Sequence, residues 1–278
     1  MGAVGLERAA TASQASPRNP KKKPKQPNSK TSKKRKHAVT TNHETQIGPN
    51  DVGSNAPEAL PVEPLSFFLD EFQTANDVHV SSLEFESMKD TCILGPPQSS
   101  VQDDKTLMKY IKEAFGSSWK EVLCKRELLH GKAEPGSPAV LIISTSALRS
   151  IELLKSLRSL TQECHAVKLF SKHMKVEEQV ELLKNHVNIA SGTPSRIKKL
   201  IDIEALGLSR LAVIVLDIKP DVKGYSLFSL PQVRDEFWDL YKSYLHPRVV
   251  ESKLRICLFG PLQPTRKQRK KEVTSAVK

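Results

Sequence analysis

Residues 139–157, AVLIISTSALRSIELLKSL, decide the fold. AVLIIS (139–144) is an unbroken apolar run of strand length. The segment behind it places Leu148, Ile151, Leu154 and Leu157 at the spacing of one helix face. A strand that is apolar throughout is buried on both faces, as in a parallel sheet covered by helices. The same unit then repeats along the chain. AVKLF (166–170) precedes Val176, Val180 and Leu183, and VNIA (187–190) precedes SGTP and then Ile197, Leu200 and Ile201. LAVIVLD (211–217) precedes Val233, Phe237, Leu240 and Tyr244, and LRICLF (254–259) supplies the fifth strand. Such alternation predicts a three-layer α/β domain with a mostly parallel sheet and right-handed crossovers.

Working outward, LMKYIKEAF sets Leu107, Ile111, Ala114 and Phe115 at helical spacing, with Asp103 and Asp104 placed for the N-cap and first turn. Leu65, Phe67, Phe68, Leu69 and Phe72 predict a short helix that docks on the domain. The longest aliphatic run, Leu211 to Leu216, falls far short of the ~20 residues of a membrane helix, so no membrane partner is expected. Cys92, Cys124, Cys164 and Cys257 show no metal-ligand spacing, and Cys257 reads as a core residue. No metal or cofactor is expected.

The chain has 278 residues and a formal charge of +12, unevenly spread. Residues 1–38 carry +10 and residues 264–278 carry +5, which leaves −3 for residues 39–263. Residues 1–38 read as a disordered basic arm. Its two clusters, Lys21, Lys22, Lys23 and Lys25 followed by Lys33, Lys34, Arg35 and Lys36, suit nuclear import or phosphate binding. Residues 39–63 read as an acidic linker, 64–262 as the folded domain and 263–278 as a basic tail.

Ligands of an open α/β sheet bind beyond the carboxyl ends of the strands, so those loops hold the candidate site. Thr193 is suited to the N-cap and Pro194 to the first helical position, with Ser195 following and Arg196 one turn in. The stretch serves either to start a helix or to bind a phosphate at its N-terminus. Lys172, His173 and Lys175 add positive charge on a second strand-end loop, and Thr145 and Arg149 add donors on a third. An NTP-hydrolysing site is opposed by the sequence. No G-x-x-x-x-G-K-[ST] occurs, and Pro96 and Pro97 remove N–H groups from the one Gly-bearing candidate loop, 93–100. Asp217 ends its strand as a potential metal ligand, but Ile218 stands where a water-activating acid would be needed.

IISTSAL (142–148), ASGTPSRIKKLI (190–201), VIVLDIKPD (213–221) and LFGP (258–261) resemble successive motifs of the first RecA-like domain of DEAD-box RNA helicases. In those helicases the corresponding loops carry PTREL, TPGR, DEAD and SAT. Here the DEAD-like tetrad keeps only Asp217, and Ser195 replaces the Gly of TPGR. More closely, LFSKHMKVEEQVELL, GTPSRIKKLI, LSRLAVIVLD and LRICLFGPL resemble the Cms-one family of eukaryotic nucleolar proteins associated with the small-subunit processome. The resemblance implies a single degenerate RecA-like domain over 64–262 and a nuclear, nucleolar role in ribosomal small-subunit biogenesis. It implies RNA, either pre-rRNA or small nucleolar RNA, and pre-ribosomal assembly proteins as partners. It further implies RNA sugar-phosphate contacts at Thr145 and at Thr193, Pro194, Ser195 and Arg196, with no catalytic residues. Only one of a helicase's two RecA-like domains is matched, so unwinding is not expected. The alternative is a protein-interaction module in which only the charged ends touch RNA.

Overall fold

A computed structural model describes residues 63–77, 88, 90–94, 104–125, 134–164 and 166–262. The basic arm, residues 39–62 of the acidic linker and the basic tail, Lys21 to Lys36 included, lie outside these.

Six strands form one sheet: β1 (Ile93–Leu94), β2 (Val140–Ile143), β3 (Val167–Leu169), β4 (Ile189–Gly192), β5 (Val213–Asp217) and β6 (Arg255–Phe259). Their order is β1-β6-β5-β2-β4-β3, and every pairing is parallel. Successive side chains therefore enter opposite layers. Leu141, Ile143, Ile214, Leu216, Ile256 and Leu258 point to one core, and Val140, Ile142, Val213, Val215, Cys257 and Phe259 to the other.

The first core is closed by α1 (Pro64–Asn76), α5 (Val176–Leu183), α6 (Pro194–Asp202), α7 (Pro231–Leu240) and α8 (His246–Val250). The second is closed by α2 (Asp104–Phe115), α3 (Trp119–Leu123) and α4 (Ala147–Ser156). Three layers around an all-parallel sheet result, as the apolar runs require. Cys257 is fully buried as expected, and that burial pushes its thiol up to about 12.

The aromatic residues gather under α1. Phe68 meets Trp238 at 5.4 Å and Tyr241 at 5.3 Å, while Phe72 meets Trp238 at 5.4 Å. The docking helix expected around Leu65–Phe72 is thus present, longer than the apolar cluster alone suggested. Between α7 and α8 the backbone passes through a π turn, Tyr241–Leu245. Pro247, one residue removed from it, has no N–H to continue an α-helical ladder.

Two sequence expectations shift, and one strand had not been expected. β4 occupies 189–192 rather than 187–190, because Ser191 and Gly192 continue the strand although neither is apolar. A Cβ on Gly192 would lie 2.0 Å from the Leu169 carbonyl oxygen, so glycine is what lets β3 and β4 approach there. On α4 the buried positions are Ser150, Leu153 and Leu154, with Leu157 just beyond. Leu148 is exposed, because the helix is rotated to seat Ser150 against the exit of β2. The two-residue β1 lies in a stretch too short for any periodic signal.

Candidate nucleic-acid interface

The last residues of three strands stand abreast: Ile143 of β2 is paired with Gly192 of β4, which is paired with Leu169 of β3. Their exit loops therefore emerge side by side, about 5 Å apart per strand.

At the exit of β2, the Ser144 N–H donates to the Gly192 carbonyl at 3.0 Å, and its Oγ lies 2.7 Å from the Ser150 Oγ. Ser146 caps α4, its Oγ accepting from the Arg149 N–H at 3.3 Å. These contacts fix the first turn of α4 so that Arg149 reaches across to β5. Its Nε and one terminal nitrogen donate to the two oxygens of Asp217 at 2.8 and 3.1 Å, and its other terminal nitrogen donates to Glu152 at 3.2 Å.

Asp217 is 1% exposed, the one fully buried carboxylate among the described residues. Burial pushes it above its ordinary value, against the Arg149 guanidinium and the Lys219 N–H that favour its charged form. The sequence reading kept these two residues apart, Arg149 as a phosphate donor and Asp217 as a vestigial metal position. The structure joins them in one bidentate ion pair, so that the Arg149 guanidinium has its partners inside the chain. Ile218 is buried beside them as an apolar neighbour. Gly260, at φ +142, lets the exit of β6 lie against this point, where a Cβ would come within 2.6 Å of the Lys219 nitrogen.

At the exit of β4, Thr193 does occupy the N-cap position and Pro194 the first turn, but the Thr193 hydroxyl makes no capping bond. Ser195 is exposed and Pro194 is buried. Arg196 is half-buried and turns toward α5, donating to the Gln179 Oε1 at 2.8 Å and the Met174 carbonyl at 3.4 Å. Gln179 is itself buried, and its Nε2 donates to the carbonyls of Lys168 and Phe170 at 3.0 and 2.9 Å. The Leu169 carbonyl between them accepts from Thr193 of the β4 exit at 3.0 Å, so the two that Gln179 holds face the open edge of β3. Gln179 thus covers the sheet edge and, through Arg196, ties the exits of β3 and β4 together.

The loop so held carries Lys172, His173 and Lys175, all exposed. His173 stands at φ +63, a left-handed conformation uncommon outside glycine. Glu178 fixes the far end, accepting from the Lys175 N–H at 3.1 Å as α5 begins. Of the expected RNA-side residues, the fold brings Thr145, Thr193, Ser195, Lys172, His173 and Lys175 to one edge with their polar groups outward or half-exposed. It commits Arg149 and Arg196 to internal bonds. Gln179 went unread in the sequence, where a polar residue between Val176 and Val180 looks solvent-facing. Among the described residues no group of three or more His, Cys, Asp or Glu is placed to hold a metal. No helix among them is long and apolar enough to cross a membrane.

Comparison with known proteins places the chain. Protein CMSS1 of Xenopus laevis is 31% identical over 213 residues, covering 75% of this chain and 72% of that protein. Protein CMSS1 of Homo sapiens is 32% identical over 184 residues, covering 65% and 61%. Protein CMS1 of Chaetomium thermophilum is 34% identical over 146 residues, covering 51% and 52%. Among solved structures, the chain resembles Saccharomyces cerevisiae Dbp5 bound to Nup159, Gle1, IP6 and ADP, with a TM-score of 0.44 and 11% identity over 73% of this chain and 48% of that one. A DEAD box protein from Methanococcus jannaschii gives a TM-score of 0.37 and 15% identity over 79% and 52%. The chain spans about half the length of these two structures. The family model described as CMS1, U3-containing 90S pre-ribosomal complex subunit, matches residues 6–259, and the chain belongs to that family.

Proposed function

We propose that this protein is a non-catalytic RNA-binding scaffold factor of a pre-ribosomal complex, acting in the nucleolus on ribosomal small-subunit biogenesis. The observation that carries this reading is the Arg149–Asp217 pair. The carboxylate at the end of β5 is neutralised from inside the chain, so no charged group remains there to hold a metal–nucleotide. Beside the hydroxyls of Thr193, Ser195 and Thr145, the exposed cations are Lys172 and Lys175 of the β3 exit, with His173 between them. Hydroxyls and cations at strand ends suit a sugar-phosphate backbone and read little sequence. Arg196 serves here by holding the loop in place. The basic arm, residues 1–38, and the tail, 263–278, supply import and non-specific attraction around the domain at 64–262.

The test is ultraviolet crosslinking of the full chain to RNA in nuclei, with the adducts mapped to peptides. Adducts within 171–175 and 193–195 are expected. Adducts confined to 1–38 and 263–278 would transfer the RNA role to the ends and leave the domain to protein partners.

A further inference from the structure

The loop between β5 and α7 is built for order. The Asp221 Oδ1 accepts from the backbone N–H groups of Lys223 and Tyr225, both at 2.8 Å. The Asp221 N–H donates to the Tyr225 carbonyl at 2.8 Å, and its carbonyl accepts from Gly224 at 2.9 Å. Gly224 supplies the turn at φ +81. Both ends are anchored: Ile218 is buried, with its N–H on the Phe259 carbonyl at 2.9 Å, and Phe228 is buried and stacked on Trp238 at 5.3 Å. The side chains that this frame carries nevertheless face solvent. Val222 is fully exposed, Tyr225 is 42% exposed, and the exposed charged residues of the loop are Lys219 before them, Asp221 next to Val222 and Lys223 between the two.

A connection between a strand and a helix needs no such order, and fixing a loop costs conformational entropy. Order in a loop that presents apolar tips lowers the entropy lost on binding. An aliphatic side chain has neither a hydrogen-bonding group nor a π face to offer a nucleotide, whereas Val beside Tyr suits a pocket on a protein. Lys219 and Lys223 outnumber Asp221, whose Oδ1 is turned onto the Lys223 and Tyr225 N–H groups, and so set the sign of the rim. We propose that the Val222–Tyr225 tip is a docking knob that seats in an apolar socket rimmed by acidic side chains on a protein partner. The site is separate from the RNA reading, because β5 lies three strand positions from β3, where Lys172 and Lys175 stand.

The experiment places a photo-crosslinking benzoylphenylalanine at Val222 of the full chain in cells, with the same group at exposed Leu182 of α5 for comparison. A discrete protein adduct is expected from position 222 and not from 182, mapping to a partner peptide with Asp or Glu beside apolar residues. Lys219→Glu with Lys223→Glu reduces that adduct by roughly tenfold, and lysines in place of the mapped carboxylates restore it. Circular dichroism verifies that the charge-reversed chain is folded. An RNA adduct at 222, no adduct specific to 222, or an adduct indifferent to charge reversal each overturns the proposal. The RNA reading is scored separately, since Lys172→Glu with Lys175→Glu leaves the 222 adduct intact whether or not RNA is bound at the β3 exit.

Discussion

Arg149 and Asp217 stand 68 residues apart in sequence and meet at 2.8 Å, with 18% and 1% of their side chains exposed. Removing one partner of a buried pair strands the other charge, at a cost of about 3–5 kcal/mol, whereas replacing both with apolar residues is close to neutral. Arg149→Ala is therefore expected to lower the urea midpoint sharply, and Arg149→Met with Asp217→Leu to return it near the parent. Equal midpoints for the parent and Arg149→Ala would mean that the pair does not anchor α4 to β5. A second contrast lies among the glycines. Gly192→Ala forces a methyl into the Leu169 carbonyl and is expected to cost several kcal/mol, while Gly116→Ala at φ +55 meets open space and is expected to cost about 1 kcal/mol. The sequence made Asp217 and Arg149 visible as candidates, each at a strand exit. It did not show that they touch, because no spacing rule links residues on different βα units.

At the scale of elements, α1 is held by rings rather than by backbone pairing. Phe68 is fully buried among Trp238, Tyr241 and Phe228, and Phe68→Ala is expected to cost about 3–5 kcal/mol. The same helix carries a pH signature. Burial pushes the Glu71 carboxyl from 4.5 up to about 7, with Asp70 adding to the rise and Arg234 opposing it. The folded state then binds more protons than the unfolded state between those two values. Stability accordingly falls as pH rises from about 4.5 to about 7 and levels off above, by on the order of 2 kcal/mol for a group still partly exposed. Glu71→Gln should flatten that slope and raise the urea midpoint at pH 8; an unchanged slope between pH 5 and pH 7 would contradict it. Four of the five main strands were legible as an apolar run followed by a helical face, and the fifth, LRICLF, as an apolar run alone; only Lys168 of β3 breaks the pattern by facing solvent. The end of β4 was not legible, since Gly192 is chosen by a close approach to β3 that periodicity does not encode. Nor was the face of α4, where Ser150 is buried through its contact with Ser144 and a leucine, Leu148, is left outside.

For the whole molecule the charge is divided by region. Residues 1–38 and 264–278 together hold +15, residues 39–63 hold four acids and no base, and residues 64–262 come to +1. A near-neutral domain has little long-range attraction for RNA, so what it contributes must come from placed groups, and at the β3 exit those are Lys172 and Lys175. Each neutralised phosphate of a single strand adds roughly 0.7 to the slope of log affinity against log salt. The full chain is expected to show a slope of several units. A chain lacking 1–38 and 264–278 should unfold at the same temperature, bind single-stranded RNA far more weakly, and keep a slope of about 1.4, the share of two lysines. Lys172→Glu with Lys175→Glu in that shortened chain should remove the remainder. Fluorescence anisotropy with a polyuridine oligonucleotide over a salt series measures all three. A slope unchanged by removing the ends would place the electrostatic contact on the domain instead. A shortened chain with no measurable affinity would assign RNA to the ends alone and leave the strand-end loops, like the Val222–Tyr225 tip, to protein.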